Sequence, residues 1–179
     1  MSVDPGIVLV VALATALLMG SAAVHKLLAF HAFEVTVGEY RLLTPALVRP
    51  VSILVVIVES ALTLGLLLPV SRASSAVGAS ALLSLYALAI GVNLRRGRRD
   101  IDCGCTFQQR PIGGWMIARN LALGAFGLLA ALPVSNRPLD TPDFVTVVAT
   151  LLPAALLYIA ADLLFGRPQS RQAYPVDAP

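Results

Sequence analysis

Five apolar stretches fill most of this chain, each close to the roughly 18–20 residues that cross about 30 Å of hydrocarbon. They run from residue 6 to about 30, then 50–70, 73–94, 112–134 and 144–165. The third carries no charged side chain, and Ser74, Ser75, Ser80, Ser84 and Asn93 are too few to give it a face for water. The others hold isolated ionisable residues: Lys26 in the first, Glu59 in the second, Arg119 in the fourth and Asp162 near the end of the fifth. Pro153 lies inside the fifth and is expected to kink it, because membrane helices tolerate proline. The fold class is therefore all-α, a polytopic transmembrane helical bundle, occupying residues 1–165. Residues 166–179 hold three prolines and little apolar content, and read as a disordered tail.

The segment between the first two spans, residues 31–49, carries Glu34, Glu39 and Arg41 beside Phe33 and Tyr40. It is too polar to span and reads as a short interfacial helix and turn ending near Pro45. A cleaved signal peptide is the other reading of the first stretch, with Ser21 and Ala23 as cleavage-site residues. It needs a basic leading region, whereas Asp4 is the only charge before Gly6. An uncleaved first helix with its N-terminus outside is the expectation.

Charge sets the orientation. With five spans, one side carries only Arg72 and Arg137, and the other eleven of the 13 basic residues fall on the opposite side. That places the N-terminus outside and the loop between the third and fourth spans in the cytoplasm, in a cell (inner or plasma) membrane. The formal net charge of +3 sits in short segments with no aromatic interleaving, which fits a lipid bilayer as partner and excludes nucleic acid.

That loop holds the only two cysteines, Cys103 and Cys105, separated by Gly104. Thiols two residues apart can close a small, strained and readily reduced disulfide ring, for which glycine supplies backbone freedom. Nearby arginines favour the reactive thiolate, while Asp100 and Asp102 oppose it. Two alternatives stay open. The cysteines are a plain loop pair, or they join His25 and His31 around zinc, although the spacing matches no standard zinc module. The expectation is a redox pair and no metal.

Glu59 lies about 13 Å and Arg119 about 10 Å into their spans, counted from the loop side at 1.5 Å per residue. An unpaired charge there costs at least ~2.5–3.5 kcal/mol, so the two are expected to face inward and pair, either fixing helix register or supporting a site. His25, Lys26, Asn93, Asn120 and Asp162 share this half of the membrane. Lys26 reads as an anchor snorkelling to headgroups, and Tyr40 and Trp115 as interfacial aromatics.

These residues together resemble the MauE family of methylamine-utilisation membrane proteins, within the wider DoxX-like group. The resemblance covers about residues 10–130. It rests on Lys26, on Phe33, Val37, Tyr40, Leu43 and Pro45, on Glu59, on Asp102-Cys103-Gly104-Cys105 and on Arg119-Asn120-Leu121. The family pattern often continues from the second cysteine as Phe-Gly, where this chain has Thr106-Phe107-Gln108. The resemblance implies a four-helix DoxX-like core plus a fifth helix. It also implies a role in maturing or exporting a disulfide-bearing client, the small subunit of methylamine dehydrogenase or a similar protein, beside a thioredoxin-like partner.

The expected function is therefore thiol–disulfide exchange through Cys103 and Cys105, supported by Glu59 and Arg119. Whether the protein is itself an enzyme stays open; if it is, its class is thiol–disulfide oxidoreductase. A non-catalytic scaffold or chaperone and a small-solute transporter are the alternatives. Disulfides persist outside the cytoplasm, so the charge count sets the cysteines on the unexpected side. One cysteine pair cannot carry electrons across a membrane alone, which makes a quinone or a partner's thiols the candidate second carrier.

Overall fold

The structure is a computed structural model that describes residues 2–99, 101 and 112–165, with the side chains at 162 and 165 excepted. Cys103, Cys105, their loop neighbours and the 166–179 tail lie outside the described residues. The helices are α1 (Pro5–Leu28), α2 (Phe30–Glu39), α3 (Pro45–Leu67), α4 (Arg72–Arg95), α5 (Gly114–Leu128, continued by a 3-10 turn over Leu129–Ala131) and α6 (Thr141–Phe165). Five stretches are long and apolar enough to cross a membrane: α1, α3, α4, α5 with its 3-10 turn, and α6. The chain is thus a multi-pass helical membrane protein.

Local chemistry sets the ends. Asp4 accepts a hydrogen bond from the Gly6 amide at 2.8 Å and Pro5 occupies the first helical position, so α1 starts sharply. α3 begins at Pro45, five residues before the boundary suggested by Pro50, which sits inside the helix. Pro50, exposed like Arg49, lies past the first turn and removes one backbone bond, a loss that membrane helices tolerate.

The segment after α1 holds the expected short helix, α2, and its turn ends at Pro45. α1 breaks at Ala29 (φ −119°), and α2 then runs on beside the first half of α3. A Cβ at Gly38 would stand 3.8 Å from Val48, and Phe33, Val37 and Tyr40 share a cavity wall with Val51 and Val55. α1 consequently ends where α3 is already well inside the bundle.

Packing depends on small residues, since apolar side chains gain nothing by leaving lipid for protein and close backbone approach supplies the dispersion contacts. The core joins Val11, Ala12, Ala16 and Met19 of α1 to Leu66 of α3 and to Ala76, Ala79 and Leu83 of α4. Gly65 lets α3 meet α4: a Cβ there would fall 2.1 Å from Ser75 Oγ. Ser80 Oγ lies 2.8 Å from Ala76 O and 2.7 Å from Gly124 O, tying α4 to α5. α4 packs against α5 and α3, α3 against α1, and α6 chiefly against α1.

At one end of the bundle Val3 pairs with Val134, and Arg137 bridges Asp4 (3.1 Å) and Asp143 (2.8 Å). Those two carboxylates, Asp143 before Asp4, hold the Arg137 guanidinium above its usual range. At the other end Ile101 and Ile112 are joined by a backbone bond of 2.9 Å. Both pack with Ile90 and Met116 against Tyr40, Leu94 and Ile117. The exterior is lined by large apolar side chains such as Leu54, Ile57, Leu85, Leu88, Leu152 and Leu156, a surface suited to lipid tails.

Candidate functional site: a buried ion pair beside an apolar cavity

The break after α1 puts Lys26 in that helix's last turn, where exposed carbonyl dipoles favour a cation. Its stem does not reach for the membrane surface. Lys26 is 1% exposed and forms an ion pair with Glu59 of α3, which is 0% exposed. Tyr86 of α4 donates to Glu59 Oε1 at 2.6 Å, and its hydroxyl lies 3.4 Å from Lys26 Nζ. The ammonium also sits 5.2 Å from the centre of the Phe33 ring and 4.9 Å from that of Tyr86. Four helices thus converge on one acid–base pair.

Two sequence expectations are corrected here. Lys26 is the partner of Glu59 rather than a snorkelling anchor. Arg119 is not that partner, although it is buried at 7% exposure. α5 packs on α4 and makes no sustained contact with α3, so α4 stands between the two residues. Matching depths in two spans could not show that the helices are not neighbours. Arg119 instead shares its end of the bundle with buried Asn120 and Asn93. Asn93 Nδ2 donates to Ala89 O at 3.1 Å, Arg98 approaches Asn93 Oδ1 at 3.3 Å, and Asn120 Nδ2 is buried without a hydrogen-bond partner among the described residues.

Tyr86 is a residue that sequence reasoning missed. Its only signal was its place as the lone aromatic within the charge-free third stretch. Tyr40 is partly buried and packs with Ile90, Ile101 and Ile112. Trp115 is 39% exposed near the start of α5. His25 is half-buried in α1 and His31 is exposed on α2, while the two cysteines of the four-ligand zinc alternative lie outside the described residues.

Lys26 and Tyr86 also line a cavity of about 210 Å³ between α2, α3 and α4. Its walls are otherwise almost entirely apolar, formed by Phe33, Val37, Leu43, Val51, Val55 and neighbouring residues. Thr36 contributes little polarity because its hydroxyl donates to Ala32 O of its own helix at 3.1 Å. Tyr40 and Ile90 belong both to this cavity and to the cluster that clamps Ile101 and Ile112, the two ends of the Cys103–Cys105 loop. The apolar cavity therefore runs from the polar pair, midway along α3 and α4, toward the loop ends.

The sequence pattern of methylamine utilisation protein MauE matches residues 5–133. The chain belongs to the MauE family. A MauE of Methylophilus methylotrophus is 36% identical over 174 residues, covering 94% of this chain and 90% of that protein. The MauE of Paracoccus denitrificans is 36% identical with 84% and 83% coverage, and that of Paracoccus versutus 38% identical with 86% and 84%. No solved structure matches the chain. The MauE pattern takes in Lys26, Glu59, Tyr86, Arg119 and both cysteines and ends before α6.

Proposed function

We propose that this MauE-family protein serves methylamine utilisation by supporting disulfide-dependent maturation of a client protein, exchanging thiols and disulfides through Cys103 and Cys105. Family membership supports the pathway. The observation that carries the site reading is the clamp at Ile101 and Ile112, which anchors both ends of the cysteine loop beside the cavity and the Lys26–Glu59–Tyr86 cluster.

The chemistry is a balanced exchange. The Cys103 thiolate attacks a client or partner disulfide, forming one mixed disulfide and releasing one thiolate, which takes up a proton. Cys105, as thiolate, then displaces the second client sulfur. That closes the Cys103–Cys105 bond and leaves the client with two thiols. The reverse sequence delivers a disulfide to a reduced client. Glu59 acts through Lys26 as a positioning pair that fixes α1, α3 and α4 beneath the loop. Arg119 supports the α4–α5 side. A thioredoxin-like protein is the fitting thiol partner.

A Cys105→Ser variant is expected to accumulate a mixed disulfide through Cys103, seen as a mass shift on non-reducing electrophoresis that reductant abolishes. Absence of any trapped species, together with full client maturation by the Cys103→Ser/Cys105→Ser variant, rules the mechanism out.

A further inference from the structure

We infer that the cavity between α2, α3 and α4 seats one acyl chain of an anionic phospholipid, whose phosphate is held by Arg41 and Arg96. The walls offer a polar occupant nothing. The Lys26 ammonium is already met by Glu59, the Tyr86 hydroxyl and the ring faces of Phe33 and Tyr86, and the Thr36 hydroxyl is bonded within its own helix. What remains is almost entirely hydrocarbon, from Val37, Leu43, Val51, Val55, Ala89 and Ile90. The cavity is half-open on a protein made to sit among lipid tails, and an alkyl chain enters such a space without giving up a hydrogen bond. A dry cavity of about 150 Å³ admits the six carbons of benzene, so about 210 Å³ takes roughly eight carbons, a stretch of one chain rather than a whole lipid.

Charge at the mouth selects the headgroup. Tyr40, Leu42 and Leu43 border the cavity, and the residue among them, Arg41, is exposed in the turn between α2 and α3. That turn stands where the spans end, since α3 starts at Pro45 and α4 finishes at Arg95. Arg41 adopts φ 47°, a left-handed conformation that residues other than glycine and asparagine rarely take. Arg96 donates to the Arg41 carbonyl oxygen at 3.3 Å and so brings a second guanidinium to the same turn. Among the described residues neither arginine makes an ion pair. Glu34 and Glu39 of α2 are the carboxylates on the neighbouring element, while Arg49, Arg95 and Arg99 add three exposed cations at this end. A strained position that glycine would fill without cost thus carries a planar donor suited to phosphate oxygens. A zwitterionic headgroup would bring a further cation to this surface, whereas an anionic one brings only the charge that it lacks. Seating a lipid here requires neither cysteine.

The test is native mass spectrometry of the purified full-length protein in detergent, titrated with phosphatidylglycerol and with phosphatidylcholine of the same chains. One phosphatidylglycerol per protein is expected, held about tenfold or more tighter than phosphatidylcholine. Arg41→Gly should cut that preference about threefold without lowering thermal stability, because glycine takes the left-handed turn freely, and adding Arg96→Gln should erase it. Ala89→Phe fills the cavity and leaves every arginine in place, and should cost about tenfold in phosphatidylglycerol affinity. Val55→Phe fills the opposite wall should Ala89→Phe not fold, and Leu88→Phe on the outer face should bind normally. Equal affinity for the two lipids overturns the inference. So does an undiminished phosphatidylglycerol preference in the cavity-filled protein, which would show general attraction to a basic surface. Competition by inorganic phosphate at the lipid's own concentration also overturns it, as a site for free anions.

Discussion

Lys26 and Glu59 show how strongly one buried contact can depend on its partner. A pair held at 1% and 0% exposure is stable only while both members remain, because removing one leaves a charge that must be neutralised or solvated inside an apolar bundle. Lys26→Met alone is therefore expected to destabilise the bundle by about 3–5 kcal/mol. Lys26→Met/Glu59→Leu should recover most of that loss, as a double-mutant cycle of unfolding in detergent would measure. A loss in the double variant equal to the sum of the two single losses would mean that the two residues are not energetically coupled. Tyr86→Phe removes one hydrogen bond to a carboxylate and should cost about 1.5–3 kcal/mol by the same assay.

At the scale of helices, the same sequence was easy to read in one respect and opaque in another. Length and hydropathy marked all five spans, because crossing hydrocarbon is a one-dimensional requirement that leaves a run of apolar residues. The partner of Glu59 was not legible. Its identity depends on α4 standing between α3 and α5 and on α1 stopping at Ala29, and both are matters of tertiary arrangement. Pro50 misled for a local reason: a proline read as a boundary sits within the opening turns of α3, which begins at Pro45. The α3–α4 crossing makes a prediction of its own. Gly65→Ala places a methyl 2.1 Å from Ser75 Oγ and 3.1 Å from its Cβ, and should destabilise by about 1–3 kcal/mol. Gly78→Ala meets only the movable end of Leu62 and should cost less. Adding Ser75→Ala to Gly65→Ala should restore part of the loss, which thermal unfolding of the three variants would register.

Across the whole molecule, the two ends of the bundle do different work. One is closed by the Arg137 bridge from Asp4 to Asp143, which fastens the start of α6 to the start of α1. Arg137→Ala should raise amide hydrogen exchange in the first turns of α6 while leaving α3 and α4 protected; uniform loosening would contradict this local role. The other end holds the anchored ends of the cysteine loop, with the cavity leading from them to the buried pair midway along α3 and α4, and the MauE pattern covers all of it. The most direct measurement of the proposed function is the redox state of Cys103 and Cys105 in intact cells, read by differential thiol alkylation and mass spectrometry with the client present or absent. The account predicts that the fraction of the pair joined as a disulfide changes when the client is expressed. Two cysteines that stay fully reduced under both conditions would contradict it.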